Sequence, residues 1–156
     1  MNTRNPSLEA AFSRATALAE LIERLMRECT LSLDAALYRF NHSRLAKALA
    51  ACAERGVRVR LILDEGKYDT DATTRDLLAY YHLPFRRMHG RAGDGSKMHH
   101  KFAILDDRIV LTGSYNWTTE SEEENYENVI VLREPIQVQK YREEFEALWR
   151  QAEQNG

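Results

Sequence analysis

The chain has 156 residues, 44% apolar and 29% charged, with a formal net charge of −2 at pH 7. That is the composition of an ordinary globular protein, and it argues against a disordered chain or a fibrous repeat. No stretch approaches the ~18 consecutive apolar residues of a membrane span. The polar start, residues 1–6, leads into helical spacing rather than the apolar core of a signal peptide, so a cytoplasmic location and no stable membrane association are expected. Cys29 and Cys52 form neither a metal-spaced pair nor a disulfide framework, so buried, reduced thiols are expected.

Along the chain, Leu8, Phe12, Ala15, Ala19, Ile22 and Met26 recur at three- and four-residue steps, which predicts an amphipathic helix. Residues 30–36 suit a strand. Asn41 can cap the next helix, where Leu45, Leu49 and Cys52 share a face, and Gly56 ends it. Residues 57–63 alternate and then become fully apolar. This strand–helix–strand unit implies parallel pairing through a crossover helix. Residues 64–71 read as a polar turn, 72–81 as a short helix and 84–88 as a short strand. Residues 89–97 hold three glycines and read as a loop. Strands at 102–105 and 109–112 flank a turn at Asp106, Asp107 and Arg108. Residues 129–132 form an apolar run typical of a strand covered on both faces. Pro135 can open the last helix, with Val138, Tyr141, Phe145, Leu148 and Trp149 along one side. The sum is one α/β domain over residues 1–156, a mixed and largely parallel sheet flanked by helices on both faces.

The chemistry is concentrated in His99, Lys101, Asp106, Gly113, Ser114 and Asn116, which stand as H-x-K-x4-D-x6-G-S-x-N. His99 and Lys101 are two apart, so a strand points both to one face, and sends His100 to the other. Ser114 and Asn116 repeat that spacing past the next strand. A neutral imidazole is a competent nucleophile near pH 7, and lysine sets a compact positive charge against a phosphate oxygen. Ser114 and Asn116 add neutral donors that stabilise a five-coordinate transition state. Glu127 can accept the proton of the second histidine nitrogen and fix its tautomer. Asp106 either joins the catalytic set or orders the turn. Tyr115 and Trp117 suit a core, a subunit contact or a base-stacking platform.

This pattern resembles the phospholipase D superfamily, whose signature is this His-Lys-Asp motif followed by Gly-Ser. The likeness is to small single-motif members, the bacterial phospholipase D-like endonucleases and mitochondrial phospholipase D-like nucleases. MHHKFAILDDRIVLTGSYNWTTESEEENYENVIVL carries most of it, with ALYRFN, RGVRVRLILD and EEFEALW adding to it. The resemblance implies a reaction without metal or other cofactor. One histidine attacks phosphorus, a second protonates the leaving oxygen, and water then releases the product from a phosphohistidine. That scheme needs two motifs and the chain holds one. The resemblance therefore implies a two-fold homodimer with the site at the interface, one His99 serving as nucleophile and the other as general acid.

Substrate is read from charge. Arg86, Arg87, Arg91, Lys97 and Lys101 lie in a segment with a single acid, Asp94, which suits approach of a polyanion. Glu120, Glu122, Glu123 and Glu124 form an opposing acidic run whose placement decides its effect. The reading is an endonuclease acting on DNA or RNA, single strands favoured. Alternatives are a cardiolipin-type lipid hydrolase, which would want an exposed apolar surface, and a catalytically silent nucleic-acid-binding module.

Overall fold

The computed structural model describes residues 4–154. The polar start read at residues 1–6 falls partly outside this range, at residues 1–3. Strand β2 (Ser32–Leu37) is buried along its whole length and lies near the middle of an eight-stranded sheet of order β1-β7-β6-β5-β2-β3-β4-β8. It runs parallel to β3 (Arg58–Asp64), which runs parallel to β4 (Phe85–Met88). The crossovers are α2 (Ser43–Glu54), then α3 (Glu65–Thr70) and α4 (Ala72–Tyr80).

The mixed α/β class holds, but the sheet is not largely parallel. Among the described residues two strand pairings are parallel, and the five others are antiparallel. The reason is local. Strands β5 (Lys101–Leu105) and β6 (Ile109–Gly113) are joined by a tight turn with Asp106 at φ 55° and Asp107 at φ 53°. A link that short makes a hairpin and cannot make a parallel crossover.

The N-terminal helix begins later than the spacing predicts. Leu8–Phe12 is strand β1, antiparallel to β7 (Asn128–Leu132), and α1 is Leu18–Glu28. The steps between Leu8, Phe12 and Ala15 fit a helix, but pairing with β7 satisfies the backbone of β1 and overrides the local pattern. Asn41 does not cap α2; its amide donates to Asp71 at 3.1 Å and its oxygen accepts the Thr119 N–H at 3.1 Å. The polar stretch before Asp71 is α3 rather than a turn, because Asp64 caps it by accepting the Lys67 N–H at 2.9 Å. The acidic run begins on a short helix, α5 (Thr119–Glu123), and a short strand that local pattern does not predict, β8 (Glu153–Gln154), pairs with β4. Strand β7 alternates, with Val129 and Val131 buried and Ile130 half-buried, so its cover is tighter on one face.

Two apolar layers sandwich the sheet. Leu18, Ile22 and Met26 of α1 and Leu45 and Leu49 of α2 pack with Leu33, Leu61 and Val131 on one face. Val138 and Phe145 of α6 (Pro135–Gln151) pack with Ala36, Ile62 and Phe102 on the other. Helices therefore flank both faces, as expected. Tyr115 and Trp117 belong to the first layer and are buried. Cys29 and Cys52 are buried and free. No helix among the described residues is long and apolar enough to cross a membrane.

Candidate active site

The motif residues other than Asp106 gather at one end of the β5–β6 hairpin. Register sets this: Phe102 faces Thr112, so Lys101 and Gly113 meet at the same end of the ladder, with His99 and Ser114 just beyond. The Lys101 ammonium donates to the His99 carbonyl at 2.9 Å and stands 3.4 Å from His99 Nδ1. His99 rests against the buried Tyr38 ring, with centroids 4.4 Å apart, and Lys101 Nζ lies 5.3 Å from that ring. Burial, then the neighbouring Lys101 and Lys97 charges, hold the His99 pKa below its ordinary value. Burial also lowers Lys101, while the Glu127 carboxylate acts the other way.

Ser114 and Glu127 form the second half of the cluster. The Ser114 hydroxyl donates to Glu127 Oε2 at 2.5 Å and accepts the Asn128 N–H at 3.0 Å. Glu127 Oε1 accepts from Asn125 at 3.2 Å and from Ser121 at 3.4 Å. Gly113 is required for this close approach of β6 and β7. Its φ is 153°, and a Cβ there would sit 2.2 Å from the Asn128 carbonyl oxygen. Asn116 is half-buried two residues beyond Ser114, and its Oδ1 is buried with no hydrogen-bond partner among the described residues.

The fold divides the expected residues at three points, and for Asp106 the geometry fits the turn-ordering alternative. Asp106 is not in this cluster. It lies at the opposite end of β5, five residues or about 16 Å from Lys101 along a strand. There it accepts the backbone N–H groups of Thr30, Leu31 and Ser32 and the Cys29 thiol, so it ties the α1–β2 loop to the hairpin. Although burial opposes this, those donors together hold its carboxyl below the ordinary carboxylate range. Glu127 bonds Ser114, Ser121 and Asn125 rather than His99, whose ring nitrogen faces Lys101. The four basic approach residues also divide. Arg87, Arg91 and Lys97 line a hollow of about 710 Å³ beside His99, whereas Arg86 stacks on Trp149 and does not line it.

That hollow also carries Glu65, Asp94 and Glu144, so its charge is mixed. None of Glu120, Glu122, Glu123 and Glu124 lines it. Glu120 pairs with Arg39 at 2.7 Å, and Glu122 accepts from the Tyr115 hydroxyl at 2.8 Å and the Ala19 N–H at 3.0 Å. His100 lines the hollow with His99, 3.7 Å from Glu144.

Sequence reasoning missed two positioning residues. Asp64, buried at the end of β3, accepts the Met98 N–H at 2.9 Å as well as the Lys67 N–H, and so fixes the backbone entering His99. Tyr38 supplies the surface against which His99 and Lys101 rest, and its N–H donates to the His100 carbonyl at 2.8 Å. A carboxylate closing an apolar strand was the available signal for Asp64. For Tyr38 there was none, because its role depends on the β2–β5 register. Among the described residues, no three His, Cys, Asp or Glu side chains stand together as a metal-binding group.

Residues 22–149 match the family model described as cardiolipin synthase, phospholipase D-like domain. The mitochondrial cardiolipin hydrolase of Homo sapiens is 37% identical over 136 residues, which cover 87% of this chain and 52% of that protein. Its Xenopus tropicalis counterpart is 35% identical over 146 residues, covering 94% and 64%. The chain thus spans about half to two thirds of these relatives. Among solved structures, the phospholipase D family member Nuc from Salmonella typhimurium superposes with a TM-score of 0.85 at 26% identity, covering 97% of this chain and 99% of that one. NucT from Helicobacter pylori gives a TM-score of 0.83 at 22% identity over 95% and 99%, which shows a shared fold.

Proposed function

Because this chain belongs to the phospholipase D-like domain family, we propose that it hydrolyses phosphodiesters at a site completed by a second copy of itself. The observation that carries the reading is the placing of His99 and Lys101 beside Ser114 and Glu127 at one end of the hairpin. An imidazole whose pKa is lowered by burial and two lysines keeps its lone pair available further into acid. Lys101, Ser114 and Asn116 would bind the non-bridging phosphate oxygens, and Glu127 would orient the Ser114 hydroxyl.

In the first step a nitrogen of one His99 bonds to phosphorus as the P–O bond to the leaving group breaks. The second subunit's imidazolium gives that oxygen its proton. In the second step water attacks phosphorus, the N–P bond breaks, and the now neutral imidazole takes the water proton. No residue of this scheme needs a metal ion. Each chain offers one such imidazole, and a two-fold interface supplies the second with the same surface.

The substrate favoured is single-stranded DNA or RNA. Arg91 and Lys97 stand beside His99 in a hollow of about 710 Å³, where their charges would meet a phosphate backbone. Labelled single- and double-stranded DNA and RNA, incubated in EDTA, test this. The wild type is expected to cleave single strands, and His99→Ala to leave them intact. No cleavage by wild type, or equal cleavage by the variant, rejects it.

A specific observation favours a second reading, a lipid phosphodiester. Phe12 and Tyr126 are 57% and 87% exposed and line a hollow with Glu127, an apolar surface of the kind a bilayer approach wants. The relatives named cardiolipin hydrolases point the same way. Phosphatidic acid released from cardiolipin vesicles, with nucleic acids untouched, would select it.

A further inference from the structure

A second hollow, of about 580 Å³, lies beside β4, lined by Tyr68, Arg75, Phe85, Arg86, Arg87 and Trp149. Two of its three arginines, Arg75 and Arg86, are fixed without being neutralised. The Arg86 guanidinium lies 3.9 Å from the Trp149 ring centroid and donates to the Trp149 carbonyl. Arg75 donates to the carbonyls of Tyr68 at 2.8 Å and Asp69 at 2.7 Å. Neither forms an ion pair among the described residues. A carbonyl holds a guanidinium in place and leaves its full positive charge. Arg87 pairs with Asp69 at 3.3 Å, lies over Tyr68, and keeps a buried Nε without a partner.

Packing alone does not demand this. Arg60 also lies over Trp149, 5.2 Å from its centroid, and is neutralised by Asp34 at 2.7 Å and by Glu146. The same face thus holds one stacked arginine with two acids and another with none. The second hollow also connects with the active site. Arg87 lines both hollows. The register aligns Lys101, Leu37, Leu63 and Arg87 in one row across β5, β2, β3 and β4, so three strand spacings, about 14 Å, separate Lys101 from Arg87. That is the reach of a few nucleotides.

We propose that this hollow is an outlying subsite for single-stranded nucleic acid, in which Arg75 and Arg86 hold a backbone phosphate while Tyr68 and the Arg86–Trp149 stack receive bases. Guanidinium planes and aromatic faces are the surfaces on which unpaired bases stack, and such stacking tolerates any sequence. The inference rests on the nucleic-acid reading of the catalytic site.

The test uses His99→Ala protein, so that strands stay intact, and fluorescence anisotropy with strands of about 2 and about 16 nucleotides across a salt series. Arg75→Gln with Arg86→Gln is expected to weaken the longer strand about tenfold. It should also reduce the slope of log affinity against log salt by about 1.4, at ~0.7 per charge. The short strand, held at the catalytic hollow, should lose far less. Arg24→Gln, on the exposed side of α1, is the control for general charge loss. A 5-bromouracil strand irradiated on the parent protein is expected to cross-link to Tyr68 or Trp149, and this measurement decides if the double variant does not fold. Unchanged affinity and slope, or a loss matched by Arg24→Gln, overturns the subsite, as does cross-linking that avoids both rings. A parent protein that binds no strand removes the nucleic-acid reading and the subsite together. One that binds strands, in variants and parent alike, removes the subsite alone.

Discussion

The Lys101 ammonium stands 3.4 Å from Nδ1 of His99, and Lys101 and Lys97 both push the imidazole toward its neutral form. Burial is the larger cause. A histidine with a lowered pKa is neutral above that pKa and loses its lone pair only on acidification through it. The acid limb of kcat/KM, which reports the free protein, is therefore expected below pH 6.5, the unperturbed histidine value. Lys101→Met removes one of the two cations and should move the limb upward. It should also lower kcat/KM by about 100- to 1000-fold, as loss of one transition-state donor does. A pH–rate profile of both proteins on a labelled strand checks the pair of effects.

Asp106 is expected to matter for stability and not for turnover. Its carboxylate accepts three backbone N–H groups and one thiol. Asp106→Ala should cost about 2–3 kcal/mol in urea denaturation, since several donors lose a charged partner. Asp106→Asn, which keeps an acceptor and tolerates the positive φ, should cost less. Because the folded carboxyl titrates below its ordinary range, its contribution is complete above the unfolded value near pH 3.9 and is lost as pH falls through the folded one. The wild-type advantage over Asp106→Ala should shrink in that acid window. Folded Asp106→Ala protein should keep kcat within a few-fold.

Gly113→Ala forces a Cβ to within 2.2 Å of the Asn128 carbonyl oxygen, at a φ that side chains avoid. Parting β6 from β7 should cost about 3 kcal/mol or more. It should also displace Ser114 from Glu127, so activity falls even where the protein stays folded. Thermal unfolding with a parallel activity assay reads both.

The shared site has a quantitative signature. When wild type and His99→Ala are mixed, unfolded and refolded together, a site needing both imidazoles makes every mixed dimer inactive. Activity then follows the square of the wild-type fraction. A site complete within one chain gives a straight line, and analytical ultracentrifugation on the same samples reports whether dimers form.

The chemistry was legible because His99, Lys101, Ser114 and Asn116 lie close along the chain on two adjoining strands. Strand geometry alone gathers them at one end. The same geometry removes Asp106, since five residues of strand carry it to the far end of β5. Asp64 and Tyr38 reach the site only through the register of β2 with β3 and β5, which no local pattern encodes. Strand β1 was hidden because Leu8 and Phe12 also fit a helical period, and only β7 decides between the two. The basic run at Arg86 and Arg87 was legible as charge, but alternation along β4 sent one guanidinium over Trp149 and the other over Tyr68.

Trapping the phosphorylated histidine tests the account most directly. Wild-type protein is mixed with a labelled single strand in EDTA and quenched in alkali, which preserves phosphohistidine, and peptides are mapped by mass spectrometry. The account predicts a nucleotidyl or phosphoryl adduct on His99 that forms and decays at the rate of turnover, and is absent from His99→Ala. Steady cleavage with no adduct on His99, or cleavage that survives in His99→Ala, would contradict it.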